Sequence, residues 1–334
     1  MDERVTEFGL IYLLGELAAG TATGSGRLRT GIGDDAAVTV PGGATATSVD
    51  AVVEGVHFKR EWFPPDAIAH KAVAAALSDL AAMAAEPGEI YVTLGIPPDT
   101  AGSFLDDLAS GFAAAARRFG VVLAGGDTVA SPTLFASVTV VGHAETEAGF
   151  VLRSRAMPGD VVAVTGSFGG AAAGLWLLAN GSAGADGMDP DLADSIIGRQ
   201  LRPVPQLDAG LLLCRAGASS MVDGSDGLVA DLGHVARASG VAIEVDSRFV
   251  PVQAGVPEVI AASGAGAAVF VLAGGEDFEL AVTLSEEAFA RVAVSLAEAG
   301  VGFTRIGSVV AGEGVAVSGD SGRIDIPDGF DHLA

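Results

Sequence analysis

The chain has 334 residues, half of them hydrophobic, with 47 glycines and 6% aromatic side chains. That length suits two domains of ordinary size, and the glycine supply speaks for tight loops and close-packed α/β layers rather than disorder. Its 42 acidic against 18 basic residues, a formal charge of −24, exclude a general nucleic-acid binder and argue against an anionic membrane surface, since both need a basic footprint.

Cys214 is the single cysteine, which rules out an intrachain disulfide and a cysteine-ligated zinc site. Lys59 and Lys71 are the only lysines, and neither sits in a Walker-type phosphate loop. The start, Met1-Asp-Glu-Arg-Val-Thr-Glu7, lacks the apolar centre of a signal peptide. No uncharged apolar run reaches ~18 residues, so no spanning helix is expected and the cytoplasm is the expected compartment.

In chain order, Val5, Phe8, Leu13, Leu14 and Leu17 give residues 4–19 helical spacing, and a glycine-rich loop follows to Gly33. Residues 36–40 and 45–53 read as strands around Pro41-Gly-Gly43. Pro64-Pro65-Asp66 opens a helix whose Ile68, Val73, Leu77, Leu80 and Met83 lie near helical period, with Asp79 at the edge of that stripe. A strand at 90–95, a helix at 100–119, a strand at 121–124 running into Gly125-Gly-Asp127 and a strand at 134–143 complete a first domain, 1–147.

The second domain, 148–334, opens with a strand at 161–165 and the segment Gly166-Ser-Phe-Gly-Gly170 leading a helix at 171–179. Helices are expected near 191–200, 207–216, 228–239 and 286–299. Strands are expected at 241–245, 268–273 and 278–284 and near 303–310. The fold class is α/β (α+β).

Aspartates in small, apolar or glycine-bearing surroundings carry the chemistry. They stand in Gly31-Ile-Gly-Asp34-Asp35, Ser48-Val49-Asp50, Leu77-Ser-Asp79-Leu80, Gly125-Gly126-Asp127-Thr128 and Asp223-Gly-Ser225-Asp226-Gly227. Almost no Lys or Arg lies near them in sequence, and a divalent cation such as Mg²⁺ is the natural counter-charge. A metal-dependent phosphoryl-transfer site follows from that pattern.

Each element alone also has a plainer explanation. Gly31–Ala36 fits a dinucleotide fingerprint in spelling but precedes a strand, so that reading is rejected. Gly125-Gly126 would let backbone N–H groups approach a phosphate, or form a tight turn. The N-terminus of the helix after Gly227 would attract phosphate, whereas a Ser/Asp N-cap explains one residue there but not both aspartates. Gly274-Gly-Glu276-Asp277 reads as a second glycine-acid element between strands, and a hairpin turn explains it too. His57, like the other histidines, has no metal-binding spacing around it.

Read in order, these motifs resemble the thiamine-monophosphate kinases, within the superfamily of aminoimidazole ribonucleotide synthetase and selenide water dikinase. The resemblance runs from Glu7-Phe8 to Gly329-Phe-Asp-His332. It is carried most specifically by Leu77-Ser-Asp-Leu-Ala-Ala-Met83, Ser225-Asp-Gly-Leu228 with Asp231-Leu-Gly-His234, and Gly274-Gly-Glu-Asp-Phe-Glu-Leu280.

It implies ATP-dependent phosphorylation of thiamine monophosphate to thiamine diphosphate by direct in-line transfer. It also implies ATP and several Mg²⁺ ions, with K⁺ as a further candidate, and a homodimer without nucleic-acid or membrane partners. The first domain would bind nucleotide and metal and close a barrel across the dimer interface. The second, an α/β sandwich, would complete the active-site cleft.

The implied metal ligands are Asp34, Asp35, Ser48, Val49, Asp50, Asp79, Asp127, Asp223 and Asp226, among which Asp35, Asp127 and Asp226 are the expected catalytic residues. Gly126, Asp127, Arg153 and Ser225 would contact the nucleotide. His57, Glu276 and Phe330 would contact the substrate. Val49 and Ala84 depart from the usual Thr and Gly, and Gly224 stands where a larger residue is usual; none of these removes a carboxylate.

Two rivals remain. One is another ATP-dependent enzyme of the superfamily, acting on a carbonyl, amide or selenide. The other is a non-catalytic metal- or nucleotide-binding scaffold.

Overall fold

The computed structural model describes residues 7–19, 27–32, 36–184, 186–320 and 322–326. Asp34, Asp35 and Phe330 lie outside the described residues. The chain falls into two compact units, Met1–Leu80 with Ala85–Glu147, and Ala81–Ala84 with Ala148–Ala334.

The first unit contains α1 (Glu7–Ala19), β1 (Leu28–Thr30), β2 (Val38–Thr39), β3 (Ala44–Val53), α2 (Pro65–Ala82), β4 (Glu86–Ile96), α3 (Gly102–Phe119), β5 (Val122–Ala130) and β6 (Phe135–Ala144). Its main sheet has the order β3-β6-β4-β5, antiparallel except for the pair β4–β5, which α3 connects. Strand periodicity sorts the side chains by face. Ile90, Val92 and Leu94 with Ala136, Val138 and Val140 are buried, whereas Tyr91, Thr93, Ser137 and Thr139 between them are half-buried.

α2 covers the buried face: Leu80 lies 3.0 Å from where a Cβ on Gly142 would stand. From Ala67 to Ser78 that helix is buried on every side, which its alanine-rich sequence allows without steric cost.

The second unit contains β7 (Val161–Thr165), α4 (Gly170–Gly184), α5 (Pro190–Leu201), α6 (Leu207–Ala216), β8 (Ser220–Asp223), α7 (Leu228–Ser239) and β9 (Ala242–Asp246). It continues with α8 (Val256–Ser263), α9 (Ala267–Val271), β10 (Leu280–Leu284), α10 (Glu286–Glu298), β11 (Phe303–Val310), β12 (Gly314–Gly319) and β13 (Gly322–Arg323). Its seven-stranded sheet runs β13-β12-β9-β11-β7-β10-β8, with β12–β9 the one parallel pair.

β7 is buried along its whole length and feeds two cores. Val162 and Val164 join Leu177, Leu232 and Val259 of α4, α7 and α8, while Val161 and Ala163 join Leu213 and Leu296 of α6 and α10. Each fully buried valine of this kind contributes roughly 1.5–3 kcal/mol relative to exposure. The result is a sheet with helices on both faces, a mixed α/β sandwich.

Two segments differ from the sequence expectation. Residues 268–273, expected as a strand, form the short helix α9 and its end; a brief apolar run has no period long enough to separate the two states. Gly125-Gly-Asp127, expected as a loop, is the middle of β5, which pairs with β4 through Ala130. Ala84 has φ +54°, in the left-handed region that favours glycine, a strain of about 1 kcal/mol. No helix among the described residues is long and apolar enough to cross a membrane.

Candidate active site

Ladder register places the first unit's acids. Ser48, Val49 and Asp50 lie within β3, and Asp127 within β5, the two edge strands of the sheet. Asp50 and Asp127 are therefore strand residues, not the loop or strand-end residues expected.

Asp50 pairs with Val138, Val138 with Val92 and Val92 with Gly126, so Asp50 and Gly126 end one row across the sheet. Three strand spacings, on the order of 14 Å along the sheet, separate them. Carboxylates sharing one Mg²⁺ need oxygens within ~4 Å of each other, so Asp50 and Asp127 of one chain do not share an ion.

Ser48 and Asp79 do come together. The Ser48 hydroxyl donates to Asp79 Oδ2, joining β3 to α2. Asp50 Oδ1 accepts the Ala51 N–H at 2.7 Å, and Asp127 Oδ1 accepts the Thr128 N–H at 2.8 Å. Val49 is 62% exposed. His57 follows β3; its Nδ1 accepts the Val53 N–H at 3.1 Å, and its carbonyl takes Lys71 Nζ at 3.1 Å.

Gly126 has a packing reason to be glycine, because a Cβ there would stand 2.0 Å from Val92 O. Beside it, a cavity of about 610 Å³ is lined by Tyr91, Thr93, Gly125, Gly126 and Asp127, with Ile11 and Leu14 of α1. That volume suits a nucleotide-sized ligand.

In the second unit one carboxylate organises the others. Asp231, in the first turn of α7, accepts with Oδ2 the N–H groups of Ser225, Asp226 and Gly227 at 3.1, 3.3 and 3.2 Å. The loop that leads into α7 is thus clamped by the chain's own carboxyl group. Burial, then the nearby Asp223 and Asp226 charges, push the Asp231 carboxyl up to about 8, against the N–H groups of Asp226 and Gly227, which pull it down.

One ligand atom each from Asp226, Asp231 and His234 lie within 4.8 Å of one another. Burial lowers the His234 pKa, helped by the cations Arg153 and Arg237 and opposed by Asp226. Arg153 therefore lies in the field of the same cluster.

Glu276 meets this loop. Its N–H donates to Ser225 O, and the Phe278 N–H donates to Gly224 O, both at 2.9 Å. Its carboxylate takes Gln200 Nε2 at 2.9 Å. Asp277 is buried and accepts the N–H groups of Gly169 and Ala171 at 2.7 and 2.9 Å, so it caps α4. Burial nevertheless pushes its carboxyl up to about 6. The structure thus brings Ser225, Asp226 and Glu276 together through hydrogen bonds.

Two family models match the chain. Residues 33–144 fit the N-terminal domain of AIR synthase related proteins, and residues 157–320 fit their C-terminal domain. The thiamine-monophosphate kinase of Escherichia coli K12 is 38% identical over 309 residues, 91% of this chain and 92% of that protein. The chain belongs to the thiamine-monophosphate kinase family.

Solved structures of that family agree. The enzyme from Stenotrophomonas maltophilia K279a superposes with a TM-score of 0.80 at 33% identity, over 91% of this chain and 95% of that one. AaThiL complexed with AMPPCP and TMP gives 0.76 at 31%, over 99% and 98%.

The sequence reading of this family member gave no role to Asp231, Gln200 or Arg199. Asp231 had two sequence signals, its motif with His234 and its place four residues after Gly227, where a helical side chain reaches back to its own N-terminus. Gln200 and Arg199 gave none, since their partners lie about eighty positions away. The implied ligands fit Mg²⁺: Asp side chains offer carboxylate oxygens and Ser48 a hydroxyl, and the pressure of Asp223 and Asp226 on Asp231 is what a cation would relieve.

Proposed function

We propose that the chain transfers the γ-phosphoryl group of ATP to thiamine monophosphate, giving thiamine diphosphate and ADP, the last step in making that cofactor. The family match along most of the chain carries this reading. The substrate's phosphate oxygen attacks in line, the bond to the β-phosphate oxygen breaks, and that oxygen leaves on ADP. The attacking oxygen is already ionised, so no strong general base is needed. The protein's task is placement and charge neutralisation.

Mg²⁺ would be held by Asp34, Asp35, Ser48, Asp50, Asp79, Asp127, Asp223 and Asp226, with Val49 contributing through its carbonyl. When bound, it supplies the positive charge that two lysines cannot. Asp35, Asp127 and Asp226 are the residues on which turnover depends most. Gly126, Asp127, Arg153 and Ser225 contact ATP, with the Arg153 fork suited to phosphate. His57, Glu276 and Phe330 contact thiamine monophosphate, Phe330 through its aromatic face.

The enzyme works as a homodimer in the cytoplasm, with K⁺ as a further candidate cofactor. The half-buried face of the four-stranded sheet, with Val49 and Val129 exposed on it, supports dimerisation through a barrel.

Measuring ADP release with and without thiamine monophosphate tests the activity. Turnover that this substrate fails to stimulate would sink the kinase reading and favour the superfamily rival. Absence of any ATP turnover would favour the scaffold.

A further inference from the structure

Glu276 leaves the main chain where L residues seldom sit, at φ +67°. Several contacts hold it there. Its N–H is bound to Ser225 O, and a Cβ on the preceding Gly275 would stand 2.2 Å from that same oxygen. On the other side, the Asp277 carboxylate is pinned by Gly169 and Ala171, and the Asp277 carbonyl takes Arg199 Nη2 at 2.9 Å. Arg199 also bonds the buried Glu279 carboxylate, which accepts the Thr165 hydroxyl at 2.6 Å.

The backbone is therefore fixed, and the glutamate carboxylate is tied by hydrogen bonding as well. Gln200, the neighbour of Arg199 in the last turn of α5, holds it: Nε2 donates to Glu276 Oε2 at 2.9 Å. Gln200 is 1% exposed, and its Oε1 is buried with no hydrogen bond among the described residues. An unmatched buried amide oxygen opposes folding, so stability alone does not account for an amide here.

We propose that Gln200 is a positioning residue that aims the Glu276 carboxylate at thiamine monophosphate and so sets affinity for that substrate rather than the rate of transfer. The inference rests on the reading in which Glu276 contacts this substrate.

The test is steady-state kinetics of the full chain at saturating ATP and Mg²⁺. Gln200→Leu removes the donor at similar volume, and Gln200→Asn keeps the amide but falls short of Glu276. Both raise KM for thiamine monophosphate about tenfold, with kcat and the KM for ATP within about twofold. In a Glu276→Gln background, Gln200→Leu adds nothing further to KM. Thermal melting separates a folding defect, and the Asn variant stands in if the Leu variant does not fold.

An unchanged KM in the variants, a fall confined to kcat, or additive effects in the double variant would overturn the inference while leaving the kinase reading intact. If thiamine monophosphate fails to stimulate the unmodified chain, both fall together.

Discussion

In the first unit Asp50 and Asp127 stand on opposite edge strands, placed by ladder register. In the second unit Ser225, Asp226 and Glu276 are gathered by hydrogen bonds between a helix-leading loop and a strained segment. These are two ways to place a carboxylate. Register positions it through the backbone of its own strand. Hydrogen-bonded clustering fixes it more tightly but buries charge against charge, as the raised Asp231 carboxyl records. Asp127 should therefore be separable from stability, and Asp231 should not.

The largest effect tests the first half of that contrast. Asp127→Asn lowers kcat at least ~100-fold, because it removes a charge needed during transfer. Its Tm stays near that of the parent, since the amide oxygen can still accept the Thr128 N–H. A large drop in Tm would break the contrast, and near-parent turnover at saturating Mg²⁺ would break the assigned role.

Asp231→Leu tests the second half. It leaves the N–H groups of Ser225, Asp226 and Gly227 without their acceptor, and urea unfolding should show a loss of about 2–4 kcal/mol along with lost activity. A fully stable variant would mean that the loop holds its shape without the clamp.

Gly126→Ala probes register itself. A methyl group aimed at Val92 O from 2.0 Å must push β5 from β4, which costs about 1–3 kcal/mol and moves Asp127 with it. Unchanged stability and activity would show that the edge strand yields freely.

The last test is a pH slope in chelator. Asp231 and Asp277 have folded pKa values of about 8 and about 6, above the usual carboxylate range. Between the unfolded and folded values the native state holds protons that the unfolded chain has released, so stability falls as pH rises. Both groups contribute up to about pH 6, and Asp231 alone from there to about pH 8, each by at most about 1.4 kcal/mol per pH unit. Asp231→Asn should flatten the upper part of that slope; a slope that persists there locates the buried charge elsewhere.

The sequence was most legible where periodicity was long or turn chemistry strong. The helices at 207–216 and 228–239 and the strand at 161–165 stand where spacing and flanking glycines put them. It misled at 268–273, where six apolar residues fit either state, and at Gly125-Gly126, where glycine marked close strand packing rather than a turn. α8 and β12 passed unread, among Gly, Ala and Ser residues that carry little period.

For the site, the acids themselves were legible because carboxylates in apolar or glycine-rich settings are costly. Their supports were not. Asp231 had its motif but no visible partner, and Gln200 gains its meaning only from a partner brought close by folding.

One consequence follows from β7, whose alternate side chains feed opposite cores. A single inserted or deleted residue within Val161–Thr165 would turn every later side chain of that strand inside out, exchanging the contents of both layers at once. Changes of chain length in this half of the molecule are survivable only beyond the ends of that strand, which makes it the fixed datum from which the catalytic loops are hung.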